Sequence, residues 1–370
     1  MNCFKEIFST LALLACIITA GCGNSNVANS DMTTQTQMGG AIQGKELALT
    51  GSVTTFTGSP IAELGFDDGV GLTAKFASPY DITTDGTNLY VADAINKTIR
   101  KIVISTGAVT TLAGTAGVWG LTDGVGSAAS FNDTRGITTD GKNLYVTDTG
   151  LIRKIEIATG TVTTLAGSTG GSTDGIGTAA QFSTYIGGIT TDGTNLYVAD
   201  SSNATIRKVI ISTGEVTTFA GTAGIWWQTT DAIGTAARFQ GPEGITTDGK
   251  NLYVADINNT IRKIVISSRE VTTLAGTPAQ YADSNGRIIG MRGITTDGAN
   301  LYVTSTNTHT IQKLVLSTGV MTTLVGSQGN LGFVDGNGTG TKFNYPIGIT
   351  TDGTNLFVVD SSNNSIRKIF

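Results

Sequence analysis

Apolar and polar residues alternate along this chain in short runs, each closed by turn residues, and the pattern favours strands over helices. From Pro79, Asp81 to Thr84 reads as a first short strand. Asp85-Gly86 supplies a turn in which glycine is free to take positive φ. Leu89 to Asp93 alternates as a second strand and Ala94 to Lys97 forms a loop. Ile99 to Ile104 is a third strand, Thr106-Gly107 turns the chain, and Val109 to Leu112 is a fourth. Ile-Thr-Thr-Asp-Gly then occurs six times, with its Asp at Asp85, Asp140, Asp192, Asp248, Asp297 and Asp352. Four antiparallel strands repeated at that period predict an all-β, six-bladed β-propeller of four-stranded blades. The sixth copy stops in its third strand, Ile366 to Phe370, while Val53-Thr-Thr-Phe near the start matches Val109-Thr-Thr-Leu. An N-terminal strand is therefore expected to complete the last blade and close the ring.

Composition changes this picture little: 50 glycines among 370 residues suit turns and strands. A net charge of −5 without a basic patch argues against nucleic acid as a partner. Cysteine usage adds more. Cys3, Cys16 and Cys22 all fall near the start, where the apolar stretch Ile7 to Ala20 is short for a membrane span and reads as the core of a secretory signal. Thr19-Ala20-Gly21-Cys22 resembles a bacterial lipobox. That resemblance implies a signal peptide over 1–21, lipid on Cys22, a flexible polar tether over 22–50 and the propeller over 51–370. The expected location is the bacterial cell envelope, with the membrane touched only through the lipid. Gly23, where aspartate would signal inner-membrane retention, points to the outer membrane.

Tyr197-Val-Ala-Asp200 followed by Ile206-Arg-Lys208 resembles NHL repeats. So does the Asp123, Gly124, Ala129, Phe131 stretch. The resemblance spans residues 51–370 and implies the propeller fold. It leaves function open, because NHL-type and related propellers include lyases, lactonases, sensor domains, RNA binders and interaction modules.

Residues that repeat are expected to build the scaffold. The Asp of each Thr-Thr-Asp-Gly reads as a turn residue. Asp93, Asp148, Asp200, Asp256 and Asp360 are expected to pair with Arg100, Arg153, Arg207, Arg262 and Arg367 at the blade edge, where an exposed ion pair contributes little. Asp-Gly-x-Gly, as in Asp68 to Gly71, reads as loop packing. No cofactor is expected; the loop holding Asp335 and Asn337 is where calcium would fit.

Function is expected where the copies differ. Trp119, Trp226, Trp227 and Tyr281, with Phe66 and Phe333, lie in the loops entering successive blades and are candidate contacts for protein, peptide or glycan. Two residues ahead of each Ile-Thr-Thr stand Tyr80, Arg135, Gly187, Glu243, Arg292 and Ile347, positions that would ring the channel mouth. The fifth copy has Ser305 for Asp, Gln312 for Arg and the only histidine, His309, which reads as drift rather than a Ser–His site. A zinc lyase of related fold holds its metal with several histidines, more than this chain supplies. The favoured reading is a non-enzymatic, envelope-anchored binding or scaffold module for a protein or glycan. The alternative is a calcium-dependent lactonase-like or other propeller hydrolase or lyase, with Glu243 as its candidate ligand.

Overall fold

The computed structural model describes residues 45–59, 64–168, 170–226, 228–276 and 290–370. Six antiparallel sheets form the blades of a propeller, numbered here in chain order. In blade one, Pro79–Thr84 lies at the axis, followed outward by Asn88–Asp93, Thr98–Val103 and Ala108–Ala113. The expectation of four strands falls one short. Gly69–Val70 pairs with Ala108 and Val109 as a fifth, outermost strand, so Asp-Gly-x-Gly belongs to the sheet rather than to a loop. Blades two, three, four and six carry the same addition, and blade five has four strands among the described residues.

Ring closure follows the expectation. Ser52–Gly58 pairs with Ser365–Ile369 on one side and with Gly336–Asn337 on the other, completing blade six. Residues 45–50, the end of the expected tether, are held by blades five and six, the Thr50 N–H donating to Phe370 O at 2.9 Å. Leu47 is buried, its N–H donates to Asp297 at 3.0 Å, and Glu46 pairs with Lys313 at 2.7 Å. The expected signal peptide and Cys22 lie outside the described residues.

The core sits in the seams between blades. Strand residues facing one sheet surface meet those of the next blade, as Tyr90, Ala92 and Ile99 of blade one meet Phe131, Ile137, Leu144 and Val146 of blade two. Equivalent clusters fill the other five seams. Burying a large apolar side chain of this kind stabilises by about 1.5–3 kcal/mol. The repeated Phe (Phe76, Phe131, Phe182, Phe239, Phe343) is fully buried in these clusters.

The Asp–Arg pairs form, but not at an exposed edge. Arg100 and Asp93 are both fully buried and meet at 3.0 Å. Arg100 also donates to Lys75 O at 2.9 Å, Asp67 O at 3.1 Å and Asp68 at 2.8 Å, and its guanidinium lies 5.1 Å from the Phe76 ring. One arginine therefore ties the second strand, the outermost strand and the buried Phe together. Arg153, Arg207, Arg262 and Arg367 do the same in their blades. Burial outweighs the arginine in setting the inner carboxyl, pushing Asp93 and Asp360 up to about 6. Sequence spacing foretold the partners; their desolvation came from the Phe and the folded-back strand.

The Thr-Thr-Asp-Gly corners are turns, as read. Asp85 accepts from the N–H groups of Thr87 at 2.8 Å and Asn88 at 2.6 Å, and from Tyr90 Oη at 2.8 Å. Partial burial opposes ionisation, yet these donors together hold the carboxyl below its ordinary value. The loop proposed for calcium is also occupied by protein: Asp335 takes Arg367 and the Thr55 N–H and hydroxyl, while Asn337 Oδ1 accepts from Ser52.

Candidate functional site

The innermost strands of every blade but the third begin with a register fault. Pro79 pairs with Asp93 and Asp81 with Ala92, leaving Tyr80 as an extra residue; Glu243 is the extra residue between Pro242 and Gly244. Similar shifts hold Arg135 and Arg292. A bulge at a strand start re-aims the side chain it carries. Here Tyr80, Arg135, Glu243 and Arg292 line one pocket at the axis. Glycine follows the bulged residue in blades two, four, five and six because the inner strands crowd together. A Cβ at Gly244 or Gly293 would run into the carbonyl oxygen of Arg292 or Ile347 in the next blade. Gly187 is not a bulge of this kind, and Ile347 contributes apolar wall.

The four polar residues form one network. Arg135 and Arg292 both donate to Tyr80 Oη, at 3.1 and 2.6 Å. Tyr80 Oη lies 3.3 Å from Tyr185 Oη, which donates to Glu243 at 2.9 Å. The Arg135 guanidinium stacks 3.9 Å from the Tyr185 ring and pairs with Asp133 at 2.9 Å. Because Tyr80 Oη accepts two N–H groups, its own proton is left to point at Tyr185, giving a directed chain from arginine to carboxylate. Burial pushes the Glu243 carboxyl up despite Arg292, and pushes the Tyr80 phenol up as well. Two guanidinium groups beside Glu243 make it a poor site for a divalent cation. Among the described residues no group of three or more His, Cys, Asp or Glu side chains is placed to hold a metal.

Two members of this site are absent from the sequence reading. Tyr185 sits in blade three, where the run from Phe182 to Ile189 is one residue longer than Phe76 to Ile82. The extra residue shortens the inner strand to Ile189–Thr191 and swings Tyr185 over the mouth. Asp81 stands where the other blades have glycine, and accepts from Ile137 N–H of the next blade at 3.0 Å. It faces the axial channel just inside the mouth, walled by threonines such as Thr83 and Thr138. Enclosure there pushes its carboxyl up to about 7. Both signals, an inserted residue and a broken glycine pattern, are visible once the copies are aligned.

The described aromatic candidates sit in separate loops. Their loops leave the ends of fourth strands on the face that carries the mouth, since Ala113 pairs with Ile99 and Asp93 with Pro79. Trp119, 70% exposed, has Lys97 Nζ 4.6 Å from its ring. Trp226 is exposed, and a blade separates its loop from that of Trp119. Phe66 is exposed, while Phe333 leans on Arg367 at 4.7 Å. Trp227 and Tyr281 lie outside the described residues. In blade five, His309 Nδ1 accepts from Tyr345 N–H at 3.3 Å, and Ser305 Oγ is buried without a hydrogen-bond partner, so the two form no nucleophile–base pair.

No family model matches the chain. The human NHL repeat-containing protein 2 is 30% identical over 251 residues, covering 58% of this chain and 34% of that protein. This chain thus spans about a third of the length of the curated relative, and the NHL resemblance read from the sequence is matched by a protein of that name. An auxiliary nutrient binding protein from Bacteroides thetaiotaomicron superposes with a TM-score of 0.60 at 18% identity, covering 86% of this chain and 76% of that one. A catalytically inactive virginiamycin B lyase from Staphylococcus aureus, solved with quinupristin, gives 0.50 at 18% identity, covering 83% and 99%. These structural likenesses show the fold alone, and the fold carries both a binding protein and an enzyme.

Proposed function

We propose that this NHL-type propeller is a binding module whose loop face, centred on the channel mouth, engages a polar ligand or partner without doing chemistry on it. The observation that carries this reading is the convergence of Tyr80, Arg135, Tyr185, Glu243 and Arg292 into one hydrogen-bonded pocket. They come from five different blades and occupy positions where otherwise near-identical copies diverge. A rigid scaffold that spends its variation at one spot is built to recognise something there. Trp119, Trp226, Trp227 and Tyr281 would extend the contact around the rim. We further propose lipid anchoring through Cys22 in the bacterial outer membrane, with the partner an envelope protein, peptide or glycan. Kinship of fold with a nutrient-binding protein supports this direction.

The test is crosslinking of the lipidated protein in its native envelope, with Arg135→Ala and the Trp226→Ala/Trp227→Ala pair compared against wild type. Arg135→Ala is expected to lose the captured partner and the tryptophan pair to weaken it. Capture unchanged by either would refute the assignment of this face.

A further inference from the structure

The channel mouth holds its two half-buried arginines differently from the fully buried arginines of the blades. Arg100, Arg153, Arg207, Arg262 and Arg367 each have two carboxylates within ion-pair distance. Arg292 has none among the described residues; its partners are the phenol oxygens of Tyr80 at 2.6 Å and Tyr185 at 3.4 Å. Glu243 is turned to Tyr185 and Asp81 to the Ile137 N–H, so neither closes on Arg292. Arg292 is only partly buried and Glu243 stands nearby without contacting it, so N–H groups of the guanidinium are left for an anion that pairs with it directly. Arg135 donates to the same Tyr80 oxygen, through Nη1, and to Asp133 through Nε. The two guanidinium groups therefore stand side by side on the pocket wall with N–H groups left over.

Resting on the mouth being the binding site, we propose that the ligand presents a carboxylate that bridges Arg292 and Arg135. A planar oxyanion accepts paired N–H donors from guanidinium groups in the geometry that arginine favours. Glu243 Oε1 is taken by Tyr185, which leaves its other oxygen as an acceptor for a neighbouring hydroxyl of the ligand. Carboxylate and hydroxyl together describe a sugar acid better than a peptide C-terminus, which offers the carboxylate alone.

The experiment is calorimetric titration of the full chain in detergent with glucuronate, its neutral analogue glucuronamide, and N-acetyl-dialanine. Glucuronate is expected to bind at least about tenfold more tightly than glucuronamide, the scale of a charge-assisted pair of hydrogen bonds. Arg292→Gln should erase that preference while melting like wild type, and Arg292→Lys should retain part of it. N-acetyl-dialanine binding as tightly as glucuronate supports the carboxylate and assigns it to a peptide end. Equal binding of acid and amide, lost in Tyr185→Phe, overturns the carboxylate and leaves the mouth standing as a binding site. A preference that survives Arg292→Gln overturns it too, as does no binding of any probe; envelope crosslinking then judges the wider reading separately.

Discussion

Replacing Arg207 by glutamine, the residue that blade five carries at Gln312, tests whether the buried arginines hold the blades together. The Arg207 side chain is fully buried and meets Asp200 at 3.1 Å and Asp174 at 2.8 Å. It also donates to Gln181 O at 2.8 Å and Thr173 O at 3.1 Å, and lies 5.0 Å from the Phe182 ring. Glutamine has one amide in place of this fork and no charge. Asp174 is half exposed and regains water, but Asp200 is fully buried and keeps only neutral donors, Ser183 N–H and Asn203 Nδ2. Stranding a buried charge in this way costs about 3–5 kcal/mol. Set against a typical total stability of about 5–15 kcal/mol, that is a large fraction. Urea unfolding followed by circular dichroism measures it, provided the m-value is unchanged. Adding Asp200→Ser recreates the Ser305 and Gln312 pair that blade five tolerates, and removes the stranded charge. The double variant is expected to recover at least about 2 kcal/mol, a coupling that independent sites do not show. A loss below about 1 kcal/mol for Arg207→Gln, or additive losses in the double variant, would refute the clamp.

Asp81 makes a prediction of opposite character. Its folded carboxyl stands near 7 against an ordinary 3.8, so the folded chain holds a proton that the unfolded chain has already released. Stability is therefore lost as pH rises between about 4 and 7. Asp93 and Asp360 add to that slope up to about 6, and burial raises Asp148, Asp200, Asp256 and Glu243 in the same direction. In the window from about 6 to 7.5 the Asp81 contribution is therefore the difference between wild type and variant. Asp81→Asn should flatten thermal melts in that window and raise the midpoint at pH 8; an unchanged slope sinks the assignment. At Gly114, φ is +90° and a Cβ would meet the Lys97 carbonyl oxygen and lie 3.1 Å from the Phe131 ring. Gly114→Ala should cost about 1–3 kcal/mol in the same unfolding assay, and a loss under 0.5 would mean the seam yields more easily than its packing implies.

Much of the scaffold was legible in the sequence because it rests on local rules repeated six times. Alternation in Leu89 to Asp93, turn chemistry at Asp85-Gly86 and the orphan strand at Val53 each act within a few residues, or recur at a fixed period. Asp-Gly-x-Gly was misread because its meaning depends on where the chain folds back. Its two-residue strand is defined by Ala108 and Val109, some forty residues later. Underestimating the Asp93–Arg100 pair has the same origin: spacing shows that the charges meet, but only Phe76 and the returning outer strand remove the water around them.

At the site, the sequence by itself determined which positions vary, and it picked Tyr80, Arg135, Glu243 and Arg292 as residues of the channel mouth. Tertiary structure alone decided that they touch one another, because their contact requires blades one, two, four and five to converge on a common axis. It also decided the parts of Tyr185 and Asp81. An inserted residue changes a strand's register without announcing where the displaced side chain will point, and a lone carboxylate becomes unusual only when five neighbouring strands close around it. Periodicity fixes the ring because every copy obeys it; the pocket is the sum of the departures, and departures acquire meaning only in three dimensions.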